Sequence, residues 1–159
     1  MNAFEIITLL SSLATTVGVF FAWYQIRRTG DLHRIQFEDS LSREYRELIQ
    51  KIPVKALLGK ELSDQEFTDA RPFLFHYLNL TNDQIFLRSK NRVSAETWND
   101  WSTGIKVNMA LPAVARMWSE VEIDSKNFLE LRQLIKNGYE GDPQLWTSDP
   151  SEKLLPAKK

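Results

Sequence analysis

The sequence predicts an all-α protein, with one N-terminal transmembrane helix followed by a cytoplasmic bundle of about five helices. Three observations predict it. The run from Ile6 to Ile26, IITLLSSLATTVGVFFAWYQI, carries no charged side chain over the roughly 20 residues that a helix needs to cross the hydrocarbon core of a bilayer. Beyond it, apolar residues recur at three- and four-residue intervals between polar ones, the period of helices with one packed face. Strand-like alternation is scarce, and helix-starting and helix-stopping residues fall at the ends of the periodic stretches.

The flanks of the run fit a retained span better than a removable signal peptide, which needs a basic leader and a small-residue cleavage site. No Lys or Arg precedes it, whereas Trp23, Tyr24, Arg27 and Arg28 follow as interface anchors, rings at headgroup depth and cations just beyond. All 20 Lys and Arg lie after the run, so the positive-inside tendency places the N-terminus outside and the C-terminal domain in the cytoplasm. Within the span, Ala14, Gly18 and Ala22 are four apart and form a face on which two helix backbones could approach closely. Thr8, Ser12 and Thr16 form a second four-spaced row, and Ser11 with Thr15 a third.

Thr29 and Gly30 suggest a break, which divides the chain into a membrane anchor over 1–28, a helical domain over 29–139 and a flexible tail over 140–159. Leu32, Ile35, Leu41, Tyr45, Leu48, Ile49 and Ile52 form the packed stripe of the first helix after the span. Asp39, Arg43, Glu44, Arg46 and Glu47 give it a solvated face, and Pro53 ends it. Gly59 is placed to cap the short PVKALLG segment. Ser63 and Glu66 have the spacing of a capping box and open the next helix, whose second part starts near Pro72. PFLFHYLNLTNDQIFLRSK is apolar on most sides and reads as the central core helix, with a turn at Asn91. Ser94 caps a helix carrying Trp98, Trp101, Ile105 and Met109, in which Gly104 permits a close crossing. Pro112 begins another helix, as proline does in a first turn. Asp124 or Ser125 caps a last helix that ends at Asn137 and Gly138. From there Gly141, Pro143, Pro150 and Pro156 among polar residues suit an extended tail, on which Leu145 and Trp146 are placed to dock.

Composition restricts the function. Setting Glu5 aside, 20 acidic residues face 20 basic ones after the span, a balance that argues against phosphate-backbone binding, so no nucleic-acid partner is expected. The absence of cysteine agrees with a cytoplasmic domain. His33 and His76 are the only histidines, and neither has a second His or a Cys at metal-ligand spacing. No metal site and no cofactor are therefore expected, and no phosphate-binding glycine loop or nucleophile elbow is present. The candidate ligand-binding residues are His76, Asn79, Asn82 and Asp83 on the central helix, where positions 76, 79 and 83 are three and four apart. An amide buried there without a partner costs about 1–3 kcal/mol, so Asn79 and Asn82 are expected to bond either a neighbouring helix end or a small polar ligand.

These features predict a non-enzymatic, membrane-anchored interaction or oligomerisation module, with the lipid bilayer, further copies of the chain and an unidentified protein as partners. A stress or phage-defence effector is one form of it. The alternative is a small-ligand sensor or enzyme with a polar site between helices. The order of features, a single span, then QFEDSLSREYRELIQKIP, YLNLTNDQIFL, VSAETWNDWSTGI and a later Pro-containing Trp helix, resembles a group of uncharacterised small bacterial single-span membrane proteins with a helical cytoplasmic domain. That resemblance covers residues 1 to about 137. It implies the architecture and a bacterial inner-membrane location, and it carries over no functional residue.

Overall fold

The computed structural model describes residues 3–122 and 127–146, excepting the side chains of residues 3–14 and of Glu122. The described residues form six α-helices and one short 3-10 helix, with no strand among them. They fall into two compact units, divided between Asp39 and Ser40.

Helix α1 runs from Ala3 to Ile49 without interruption. The break expected at Thr29 and Gly30 does not form. A glycine inside a helix costs only about 1 kcal/mol relative to alanine, and a single weak position is carried by helical residues on both sides. Every described side chain from Thr15 to Phe37 is exposed, including Leu32 and Ile35, which were expected to pack. Among the described residues no helix is long and apolar enough to cross a membrane. Residues 6–14 of the apolar run, with Thr8, Ser11, Ser12 and Ala14, have their side chains outside the described set.

In the second unit, the end of α1 contributes Leu41 and Leu48 to the core, and Ile52 follows them just past the helix. Pro53 then starts α2 (Val54–Leu57), and Gly59 takes the left-handed turn at φ +74° that stops it. Helix α3 (Asp64–Ser89) opens on the expected capping box, with Ser63 and Glu66 each satisfying the other's backbone N–H. It continues through Pro72 as one helix. Leu74, Leu78 and Ile85 are fully buried along it, and α3 packs against α4 (Ala95–Met109), α5 (Pro112–Glu122) and α6 (Leu129–Lys136). This is the central helix that its apolar sequence predicts.

Two connections hold the later helices in place. The caps expected at Asp124 and Ser125 lie outside the described residues, and α6 starts instead after Phe128, in left-handed conformation at φ +60° with no side-chain cap of its own. A non-glycine residue resists that conformation, and ring packing holds it: Phe128 sits edge-on to Phe75 at 5.6 Å and to Trp118 at 6.2 Å. After α6, Gly138 and Tyr139 turn the chain with positive φ. Of the expected tail, residues 140–146 are described, and they are held against α3 by the 3-10 helix Pro143–Leu145. Pro143 is buried, Trp146 packs on the core, and Leu145 stays exposed.

Candidate functional site

Helix α3 carries a row of buried polar side chains. Tyr77, Thr81, Gln84 and Arg88 recur at three- and four-residue intervals, so they share one face of the helix, and each is at most 5% exposed. Their partners differ along the row.

Arg88 is fully engaged. Its Nε donates to Asp142 Oδ1 at 2.8 Å, its Nη2 to Asp142 Oδ2, and its Nη1 to the Val93 carbonyl at 2.7 Å. This two-pronged pair pins the segment after α6 onto α3, and the guanidinium holds the Asp142 carboxyl below the usual carboxylate range. Arg88 is a structural residue, and charge pairing accounts for its burial.

At the other end of the row, Tyr77 and Gln84 form part of the lining of a cavity of about 270 Å³. Helix α1 contributes Ser42, Tyr45 and Arg46, and α4 contributes Asp100, Trp101, Gly104, Ile105 and Asn108. The α4 residues recur at 100/101, 104/105 and 108, one turn apart, and therefore present one face, set against α1 by a hydrogen bond from Asn108 Nδ2 to the Tyr45 hydroxyl at 3.1 Å. The Tyr45 and Tyr77 rings lie 6.4 Å apart, tilted by 55°. Tyr77, Gln84 and Ile105 are buried, while Arg46 and Asp100 are exposed.

The interior of this site is neutral and incompletely matched. The Tyr77 hydroxyl is buried without a hydrogen bond of ordinary geometry among the described residues, as is that of Thr81, which lies one turn along α3 and outside the lining. Asn108 and Thr81 lie near the Tyr77 phenol and soften its shift, but burial dominates and pushes it up to about 12. Tyr77 is therefore a neutral hydroxyl at physiological pH, able both to donate and to accept a hydrogen bond.

The four candidate ligand residues do not converge. His76 Nε2 donates to Glu44 Oε1 at 3.2 Å on the exposed surface. Asp83 is exposed nearby, its carboxyl raised by partial burial and by the charge of Glu44. Asn79 is exposed. Asn82 Oδ1 accepts the Leu131 backbone N–H at 3.1 Å, so it caps the first turn of α6, the neighbouring-helix role that its sequence position allows. Trp98 is core at 2% exposure, and its neighbour Trp101 lines the cavity. The signal that could have found the site is the 77, 81, 84 spacing of Tyr, Thr and Gln inside an otherwise apolar helix face. The contributions of α1 and α4 leave no trace in sequence order. Among the described residues no cluster of three or more His, Asp or Glu side chains could hold a metal ion.

In the first unit, Trp23 stacks under the Arg27 guanidinium at 4.6 Å and packs on Phe20 at 5.7 Å. Gly18 is open, with no atom within 4 Å of the position a Cβ would take. No family model, no curated protein and no solved structure matches the chain.

Proposed function

We propose that the chain is a single-span, non-enzymatic interaction module. Residues 6–26 anchor it in a bacterial inner membrane with the N-terminus outside, and the helical unit from residue 40 on lies in the cytoplasm, where it joins further copies of itself or a protein partner. The observation that supports this reading is the exposure of Val17, Val19, Phe20, Phe21, Trp23 and Ile26 on an unbroken helix, each about half or more exposed. Burial of a single Val or Phe side chain contributes about 1.5–3 kcal/mol, so a helix apolar on all sides calls for an apolar surrounding. The uncharged run is long enough for a bilayer to supply it. The small side chains at Gly18 and Ala22, in line with Ala14 in the sequence, favour contact between two spans.

The test has two parts. Alkaline extraction of membranes expressing the tagged full chain is expected to leave the protein in the pellet, and recovery in the supernatant would remove the anchor. Mild crosslinking in the same membranes is expected to give a ladder that Gly18→Leu abolishes; monomer alone, with no captured protein, would remove the interaction role.

A further inference from the structure

We propose that the cavity between α1, α3 and α4 binds a small, uncharged, flat molecule with a hydrogen-bonding edge, the chemistry shared by free nucleobases and aromatic carboxamides.

Neutrality follows from the walls. The buried part of the lining, Tyr77, Gln84, Ile105 and the half-buried Asn108, carries no charge, so a full charge held against it would lose its hydration without a counter-ion among them. The two charged groups that line the cavity, Arg46 and Asp100, are of opposite sign and exposed, which gives neither anions nor cations an advantage at the entrance. Flatness follows from the aromatic sides. Three of the lining residues, Tyr45, Tyr77 and Trp101, are aromatic, and Gly104 adds no side chain. The edge follows from the floor. The carboxamides of Gln84 and Asn108, both in the lining, each offer a donor and an acceptor. At about 270 Å³ the space suits a one- or two-ring molecule and falls just below the usual range for drug-sized ligands. Every residue that lines the cavity lies in the second unit, outside the apolar run.

Saturation-transfer NMR on the detergent-solubilised full chain tests it, with adenine and nicotinamide as neutral probes and adenosine monophosphate and benzoate as charged ones. Transfer to adenine or nicotinamide is expected, and which of the two responds separates nucleobase from carboxamide recognition. Gly104→Leu projects a side chain into the cavity from a position where a Cβ meets nothing within 4 Å, and replaces a poor helix former with a good one. It is expected to weaken binding at least about tenfold while the protein stays folded. No transfer to either neutral probe at millimolar concentration overturns the proposal. So does transfer that persists in Gly104→Leu, or equal transfer to benzoate.

Discussion

Asp142→Ala should destabilise the helical unit far more than its position in a polar C-terminal segment suggests. The substitution takes both carboxylate oxygens away from a guanidinium on a side chain only 5% exposed, leaving the Val93 carbonyl as its remaining partner. Deleting one member of a buried ion pair costs about 3–5 kcal/mol. Asp142 is itself 26% exposed, so water replaces part of the lost interaction and the expected loss is about 2–3 kcal/mol. For a unit of this size that lowers Tm by roughly 8–12 °C. Thermal melts of the detergent-solubilised full chain, followed by circular dichroism at 222 nm, read it directly. Arg88→Met in the same chain removes the stranded charge and fills its volume with apolar atoms, and the double variant should regain most of the loss. An Asp142→Ala melt within about 2 °C of the unaltered chain would refute the reasoning, as would a double variant no more stable than the single one.

Three further outcomes are expected. The Asp142 carboxyl is lowered by Arg88, and Glu66 is pulled to about 2 by hydrogen bonds from Lys55 and Ser63. Both therefore bind a proton less readily folded than unfolded, so their contribution is whole above the ordinary carboxylate pKa of about 4 and disappears as pH falls through the folded values. Asp83, raised by burial, has the opposite sign and offsets part of the loss. Tm measured between pH 7 and pH 2 should drop below about pH 4, by less in Asp142→Asn; an unchanged profile in that variant would count against the assignment. Asn82→Ala, which uncaps α6, should cost about 1 kcal/mol by urea denaturation, whereas the exposed Asn79→Ala should stay within about 0.5 kcal/mol; equal effects would contradict the capping role. Leu74→Ala, at a fully buried site on α3, should cost about 3–4 kcal/mol in the same assay, and a loss below about 1 kcal/mol would displace α3 from the centre of the core.

What the sequence discloses and what it withholds divide along a physical line. Features fixed by a few neighbouring residues were legible: the Ser63 and Glu66 capping box, Ser94 as an N-cap, Pro112 at a helix start, and Gly59 and Gly138 at helix ends. Each depends on hydrogen bonds or dihedral angles within one turn. Gly30 misled because glycine only weakens a helix, and the outcome depends on the residues around it. The partners of features fixed across long sequence separations were not legible. The Arg88–Asp142 pair joins residues 54 apart, Asn82 reaches the N–H of Leu131 49 residues on, and Asn108 reaches Tyr45 63 residues back. The two asparagines stood out because amides are conspicuous in an apolar helix, yet one faces water and the other caps a neighbour. Tyr77, Thr81 and Gln84 blended in because Tyr and Thr pass for ordinary core residues.

The left-handed entry at Phe128 bears on how this chain assembles. Helix α6 has only eight residues, well short of the 12–15 or so at which an isolated helix becomes even marginally stable in water. Among the described residues no side chain of its own caps it, and both the amide that closes its first turn and one ring that holds Phe128 come from α3. Local propensity therefore cannot nucleate it, and α6 exists as a helix only while α3 is already in place. Its backbone amides should then exchange with solvent no more slowly than those of α3, so the last helix of the unit opens as a dependent of the central one.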